Sequence, residues 1–378
     1  MISLPELLRK LKELGGSDLH LTTGSPPQVR IDGRLRPLDL PSMNAAETKR
    51  LAYSVLTDAQ KHRLEENLEL DFSFGVKDVS RFRGNIFYQR GAIAAVFRLI
   101  PFEIKSFEAL GLPTILANLC EKPRGLILVT GPTGSGKSTT LATMIDKINR
   151  ERHDHIVTLE DPIEFLHPHR NCIVNQREIQ SDTHSFTNAL RVLLRQDPDV
   201  VLIGEMRDLE TIESALRVAE TGHLTLATLH TNTAVSTINR IIDVFPAHQQ
   251  QQIRTQLSMV LEGVCCQTLL PKLGGVGRTV ALEVMIPNSA IRNLIREDKV
   301  HQIYGSMQAG QEKHGMQTFN QALATLYLNK QIALETAMSK SPNPVELEDL
   351  IKRGVGVVAS AGAGQMARPR PQPPTGRS

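Results

Sequence analysis

The stretch GPTGSGKST, Gly131 to Thr139, fits the spacing G-x-x-x-x-G-K-[ST] in full. An apolar run, GLILVT, comes before it, and a helical pattern follows. Gly131, Gly134 and Gly136 would let backbone N–H groups close around phosphate oxygens, with Thr133 and Ser135 between them. A helix N-terminus would add its dipole. In such a loop Lys137 reaches the β- and γ-phosphates, and Ser138 offers its hydroxyl to Mg²⁺. Thr139 stands next to it in the first helical turn. A bare anion site would not require this order of strand, loop and helix. The chemistry expected here is binding of ATP with Mg²⁺.

Two acidic strand ends come next. VTLEDPIEF, Val157 to Phe165, gathers Glu160, Asp161 and Glu164. Clustered carboxylates repel unless a cation or donors hold them. Alone this would read as a solvated acidic turn; one strand after the P-loop it reads as part of the nucleotide site. VVLIGEMRD, Val200 to Asp208, resembles a Walker B strand with Gly204 where an Asp usually holds the metal. Glu205 follows and is expected to hold Mg²⁺ or its water shell, with Glu164 polarising the attacking water. Those two roles can be exchanged.

HLTLATLH places His223 and His230 seven residues apart. On a strand their side chains start on opposite faces, so they make a poor metal pair. His230, at the strand's C-terminal end, is a candidate γ-phosphate sensor, and His223 is a second nucleotide candidate. Arg81 and Arg83, two apart in SRFRGNIFYQRG, share one sheet face. With Arg90 and Arg98 they are candidates for an arginine finger reaching a neighbouring subunit's phosphate. A solvated basic face is the plain alternative for each.

The elements that must position these residues fall into two patterns. Residues 1–100 give a helix, a hairpin at Asp32-Gly33, two helices, and then three strands in succession. That is an α+β domain with an antiparallel sheet. Residues 101–112 read as a linker. From 113 to 354, short apolar strands alternate with helices, as expected for a buried parallel sheet. Residues 246–270 read as one long amphipathic helix through Ile253, Leu257, Val260, Leu261 and Val264, with Cys265 and Cys266 inside it. Asn343-Pro344 opens a further helix. Residues 355–378, small, Pro-rich and cationic, read as a disordered tail.

Composition narrows the partners. A length of 378 residues suggests two or three domains. A net charge of +3, 4% aromatic residues and no Trp disfavour stacking on single-stranded nucleic acid, so a nucleic-acid-translocating ATPase is the weaker reading. The four cysteines show no zinc spacing and are expected as buried free thiols in a cytosolic protein. No apolar run reaches the roughly 20 residues of a membrane span.

GPTGSGKST, TLEDPIEF, RQDPDVVLIGEMRDLETI and TGHLTLATLHT, in this order, resemble the Walker A, Asp box, Walker B and His box of the secretion ATPase superfamily. The resemblance covers residues 1 to about 345. Gly-Glu in the Walker B segment is that superfamily's own pattern. GGSDLHLT, RFRGNIFYQRG and SAIRNLIRE are similar to the type IV pilus retraction ATPases, the PilT-like group. The resemblance implies a PAS-like α+β N-terminal domain before a RecA-like P-loop ATPase domain. It also implies a cytoplasmic homohexamer, peripheral at the inner membrane. The motor would act on the inner-membrane pilus platform protein, with an accessory (PilU-like) retraction ATPase as a further partner, to drive pilus retraction and twitching motility. The helix Ser289–Glu297 would be needed for retraction. An accessory retraction ATPase is the alternative identity. An assembly motor would carry a longer N-terminal region and a Cys₄ zinc insertion.

Overall fold

The computed structural model describes residues 2–31, 33–100, 103–275, 277–310 and 314–354. The tail expected at 355–378, Asp32 of the hairpin turn, and Pro101 and Phe102 of the linker lie outside the described residues. The described residues form two compact units, one from residues up to 109 with 116–126 and 138–228, the other from 110–115, 127–137 and 229–354.

The first unit opens with α1 (Leu4–Glu13). Ser3 and Glu6 close a capping box at its start. Leu4, Leu7, Leu8 and Leu11 recur at helical spacing and are buried. They pack on an antiparallel sheet of β1 (Asp18–Leu21), β2 (Gln28–Ile31), β3 (Arg34–Pro37), β4 (Glu69–Val76), β5 (Ser80–Gln89) and β6 (Ala92–Ile100). The strand order is β3-β2-β1-β6-β5-β4. The expected hairpin is β2–β3, where Ile31 faces Arg34 and Gly33 takes φ +80°. Helices α2 (Ala45–Tyr53) and α3 (Asp58–Asn67) have capping boxes from Asn44 and Thr57. Phe82, Ile86 and Phe97 are fully buried and centre this core.

The linker carries a short helix, α4 (Phe107–Leu110), and α5 (Thr114–Leu119) follows it. β7 (Gly125–Thr130) leads into the P-loop, and α6 (Lys137–Glu151) leaves it. In the first unit, β8 (His155–Glu160), β9 (Ile173–Glu178), β10 (Val200–Ile203) and β11 (Leu224–Leu229) run parallel in the order β9-β8-β10-β11. All four residues of β10 are buried, which accounts for its unbroken apolar run. Helices α7 (Phe186–Leu193) and α8 (Leu209–Glu220) flank it in the chain, and Asp208 caps α8.

In the second unit come α9 (Ala234–Asp243), α10 (Ala247–Val260), β12 (Leu261–Pro271), β13 (Arg278–Met285) and α11 (Ser289–Arg296). The long helix expected over 246–270 is corrected here: it stops at Val260, and the rest is strand β12. Leu261 turns extended at φ −70°, ψ 123°. Residues 264–271 then pair antiparallel with β13. The apolar positions of this mixed segment fit both periods, and Gly263, a poor helix former, with the β-favouring Val264 and Thr268 tips it toward strand. Cys265 and Cys266 are buried free thiols as expected, on a strand instead of a helix. Asn343 caps the helix Pro344–Arg353, whose Leu347 packs with Leu270 and Leu323.

Candidate active site

The P-loop backbone needs its glycines. Gly131, Gly134 and Gly136 have φ of +140°, +78° and +90°, a region costly for other residues. A Cβ at Gly131 would lie 2.3 Å from the backbone oxygen of Gln267. Gln267, buried on β12, donates its Nε2 to the Ser135 carbonyl at 2.7 Å. Sequence reasoning missed this residue because it placed the segment in a helix. Its one signal was a lone amide inside an apolar run. Lys137 Nζ donates to the carbonyls of Gly131, at 2.8 Å, and Pro132, at 3.2 Å. Ser135 is buried, Thr133 and Gly134 are exposed, and Ser138 and Thr139 are half-buried in the first turn of α6.

The acids belong to the first unit. Glu160 ends β8 almost fully buried. Its carboxylate accepts from Thr158 Oγ1 at 2.6 Å, Gln176 Nε2 at 3.2 Å and the Glu164 amide at 3.4 Å. Burial pushes its carboxyl above the usual carboxylate range, and those donors pull against the shift. Glu160 thus supports the loop that carries Glu164, whose own side chain is exposed.

Gly204 explains the missing Walker B aspartate. A Cβ there would lie 3.1 Å from the Leu159 carbonyl oxygen and 3.3 Å from Glu160 Cα. The end of β10 hugs the end of β8, with Gly204 N donating to Leu159 O at 2.8 Å. Thr228 Oγ1 donates to Gly204 O at 2.5 Å, and Met206 N donates to Thr228 O at 3.0 Å. The backbone is therefore pinned on both sides of Glu205. The Glu205 carboxylate pairs with Arg207 Nε at 2.8 Å. Arg207 is a second residue the sequence reading passed over, although MRD sits beside the motif. Restoring the familiar aspartate, Gly204→Asp, is expected to destabilise the protein by about 1–3 kcal/mol, because backbone atoms must move. A urea titration unchanged from the parent would refute this account of the glycine.

The histidines do not come together. His223 precedes β11, and its Nδ1 meets Val218 O at 3.1 Å and Thr221 Oγ1 at 3.2 Å, at the end of α8. Six strand residues, roughly 20 Å at about 3.3 Å each, separate it from the strand end that neighbours Glu205. His223 is therefore not brought to the acids. His230 follows the other end of β11 and is exposed.

The arginines separate as well. Arg81 pairs with buried Glu178 at 3.1 Å, and Arg98 with buried Asp18 at 2.7 Å. Arg83 lies 3.8 Å from Asp71 on an exposed face. Arg90 sits in the β5–β6 turn at φ +49°.

In α11, Ile291 and Ile295 are buried and Leu294 is half-buried. Arg292, between them, is half-buried too. Its guanidinium turns inward to Glu262, at 2.8 Å, and to the Ser258 and Met259 carbonyls, at 2.7 and 3.0 Å, which cap the end of α10.

No described helix is long and apolar enough to cross a membrane. The family described as Type II/IV secretion system protein matches residues 3–337. The chain is 50% identical over 343 residues to the type IV pilus retraction ATPase PilT of Pseudomonas aeruginosa, covering 91% of this chain and 99% of that one. It is 42% identical over 349 residues to the type IV pilus ATPase PilU of the same organism, covering 92% and 91%. A crystal structure of the pilus retraction motor PilT with bound ADP superposes with a TM-score of 0.87 at 55% identity, covering 92% of this chain and all of that one.

Proposed function

Because the chain belongs to the Type II/IV secretion system protein family, we propose that it is a motor ATPase that drives type IV pilus retraction and twitching motility. The observation that carries this reading is the similarity to a retraction ATPase along 99% of that relative's length. The identity to the accessory ATPase is lower, 42% against 50%.

The residues fit ATP with Mg²⁺. Three glycines give the loop a backbone with positive φ, two of them lie too close to Gln267 for a side chain, and α6 starts directly behind the loop. Lys137 would bind the terminal phosphates, and Ser138 would offer its hydroxyl to the metal. Bound Mg²⁺ would screen the phosphate charge. Among the described residues no cluster of three or more His, Cys, Asp or Glu could hold a metal. The remaining ligands would then come from the nucleotide and from waters held by Glu205. Arg83 and Arg90 are the arginines with the most freedom to act on a neighbouring subunit. The working form is a homohexamer acting on the inner-membrane platform protein from the cytoplasmic side. Residues 1–100 and 113–354 would serve as its moving domains, joined by the linker at 101–112.

Deleting the gene in the source cell tests the direction of the motor. Surplus surface pili with lost twitching are expected. Bare cells would mean an assembly motor, and unchanged twitching would leave only an accessory role.

A further inference from the structure

Outside the four motifs, Glu178 gathers more than a surface carboxylate would. It ends β9 and is 3% exposed. One oxygen, Oε2, accepts from Ser73 Oγ on β4, from Arg81 Nη2 on β5, and from the backbone N–H of Ile163, each at 3.1 Å. The other, Oε1, accepts from Ser181 Oγ at 3.2 Å. Asp182 orients the same strand end by accepting from Glu178 N at 2.8 Å.

Across the sheet, Glu178 is the register partner of Glu160. Glu160 accepts from the very next amide, that of Glu164. Two successive amides of the acid loop are therefore held by two neighbouring buried carboxylates. Only one of the two also holds the antiparallel sheet. A buried carboxylate is costly unless it is well paired, and losing its cation leaves an uncompensated charge. Arg81 supplies that cation from β5, a strand that shares no motif with the acid loop.

We propose that Glu178 is a positioning residue that ties the β4–β5 ribbon to the Ile163–Glu164 segment, so that Arg81 acts within its own chain through Glu178 and not on a phosphate. Displacement of the ribbon then displaces Glu164. This gives the N-terminal sheet a direct grip on the group proposed to polarise water. The kinetic part of the test rests on the ATPase reading; the exchange part does not.

The test compares the full chain with Glu178→Gln, Arg81→Gln and the double variant. Amide hydrogen exchange over residues 161–165 and steady-state ATP turnover are both measured. Either single change is expected to speed exchange there by about tenfold or more. Each should lower kcat by about tenfold, with affinity for a fluorescent ATP analogue within about twofold. The double variant should be no worse than the poorer single, because one link is broken twice. The idea is overturned if Arg81→Gln slows turnover while Glu178→Gln behaves like the parent, or if the two losses add; Arg81 would then act elsewhere. Should Glu178→Gln fail to fold, Ser73→Ala keeps the ion pair and removes one neutral donor. It should speed the same exchange by a smaller factor, and unchanged exchange would overturn the link. A parent chain that turns over no ATP sinks the ATPase reading alone, and the exchange data still judge the link.

Discussion

Lys137→Ala is expected to keep the fold and lose ATP turnover by on the order of 10²–10³-fold or more. The ammonium stands at the base of the loop, 2.8 Å from Gly131 O and 3.2 Å from Pro132 O. It therefore braces the loop from within and places a positive charge where phosphate would develop negative charge. Removing it costs its hydrogen bonds to these carbonyls at a partly exposed position, about 1 kcal/mol each. The loop also keeps its brace from Gln267 to Ser135 O. Circular dichroism should thus show a small shift in melting, while the phosphate-release assay goes flat. Lys137→Arg is the sharper control. It restores charge but brings a planar fork in place of a compact ammonium, so it should rescue little. Turnover near the parent level in either variant would place the chemistry outside the P-loop.

The shape of the loop was legible where only one residue type fits the backbone. Glycines at three left-handed positions can be read from letters because the backbone demands them. The continuous apolar runs of β10 and β11 were legible as well, since both faces are covered. The helix stop at Val260 was not, because the spacing of the apolar residues there satisfies either period and only pairing with β13 decides. Gln267 was hidden by that error. Gly204 looked like a defect in the sequence. Its cause is the backbone of β8 at Leu159, 3.1 Å away and 45 residues earlier in the chain (204 − 159), a contact that no local pattern reports. Glu178 was hidden too, since an acid at a strand end is common. Its weight comes from Ser73, Arg81 and Ile163, which the chain brings together only on folding. His223 shows a distance that the motif hides. The motif named it, and the strand's length carries it to the far end.

Glu164→Gln and Glu205→Gln are both expected to bind ATP and to hydrolyse it on the order of 10²–10⁴-fold more slowly. The two should differ in how they fail. Glu205 leaves a backbone pinned by Thr228, and its carboxylate is engaged with Arg207 at 2.8 Å. A carboxylate whose lone pairs are engaged by a guanidinium is a poor proton acceptor but a good anchor for the waters of a metal. Glu164 has an exposed side chain on a loop whose amides are fastened beneath it. That suits a group that must meet a water and take its proton. Glu205→Gln should therefore raise the Mg²⁺ concentration needed for half-maximal rate, with part of the loss recovered at high Mg²⁺. Glu164→Gln should leave the Mg²⁺ dependence alone and lose kcat. The reverse pattern would exchange the two roles. Equal Mg²⁺ dependence in both variants would remove Glu205 from the metal. The contrast also bears on Gly204. Its lack of a side chain lets β10 close on β8, which leaves Glu205, one residue on, as the acid proposed for the metal.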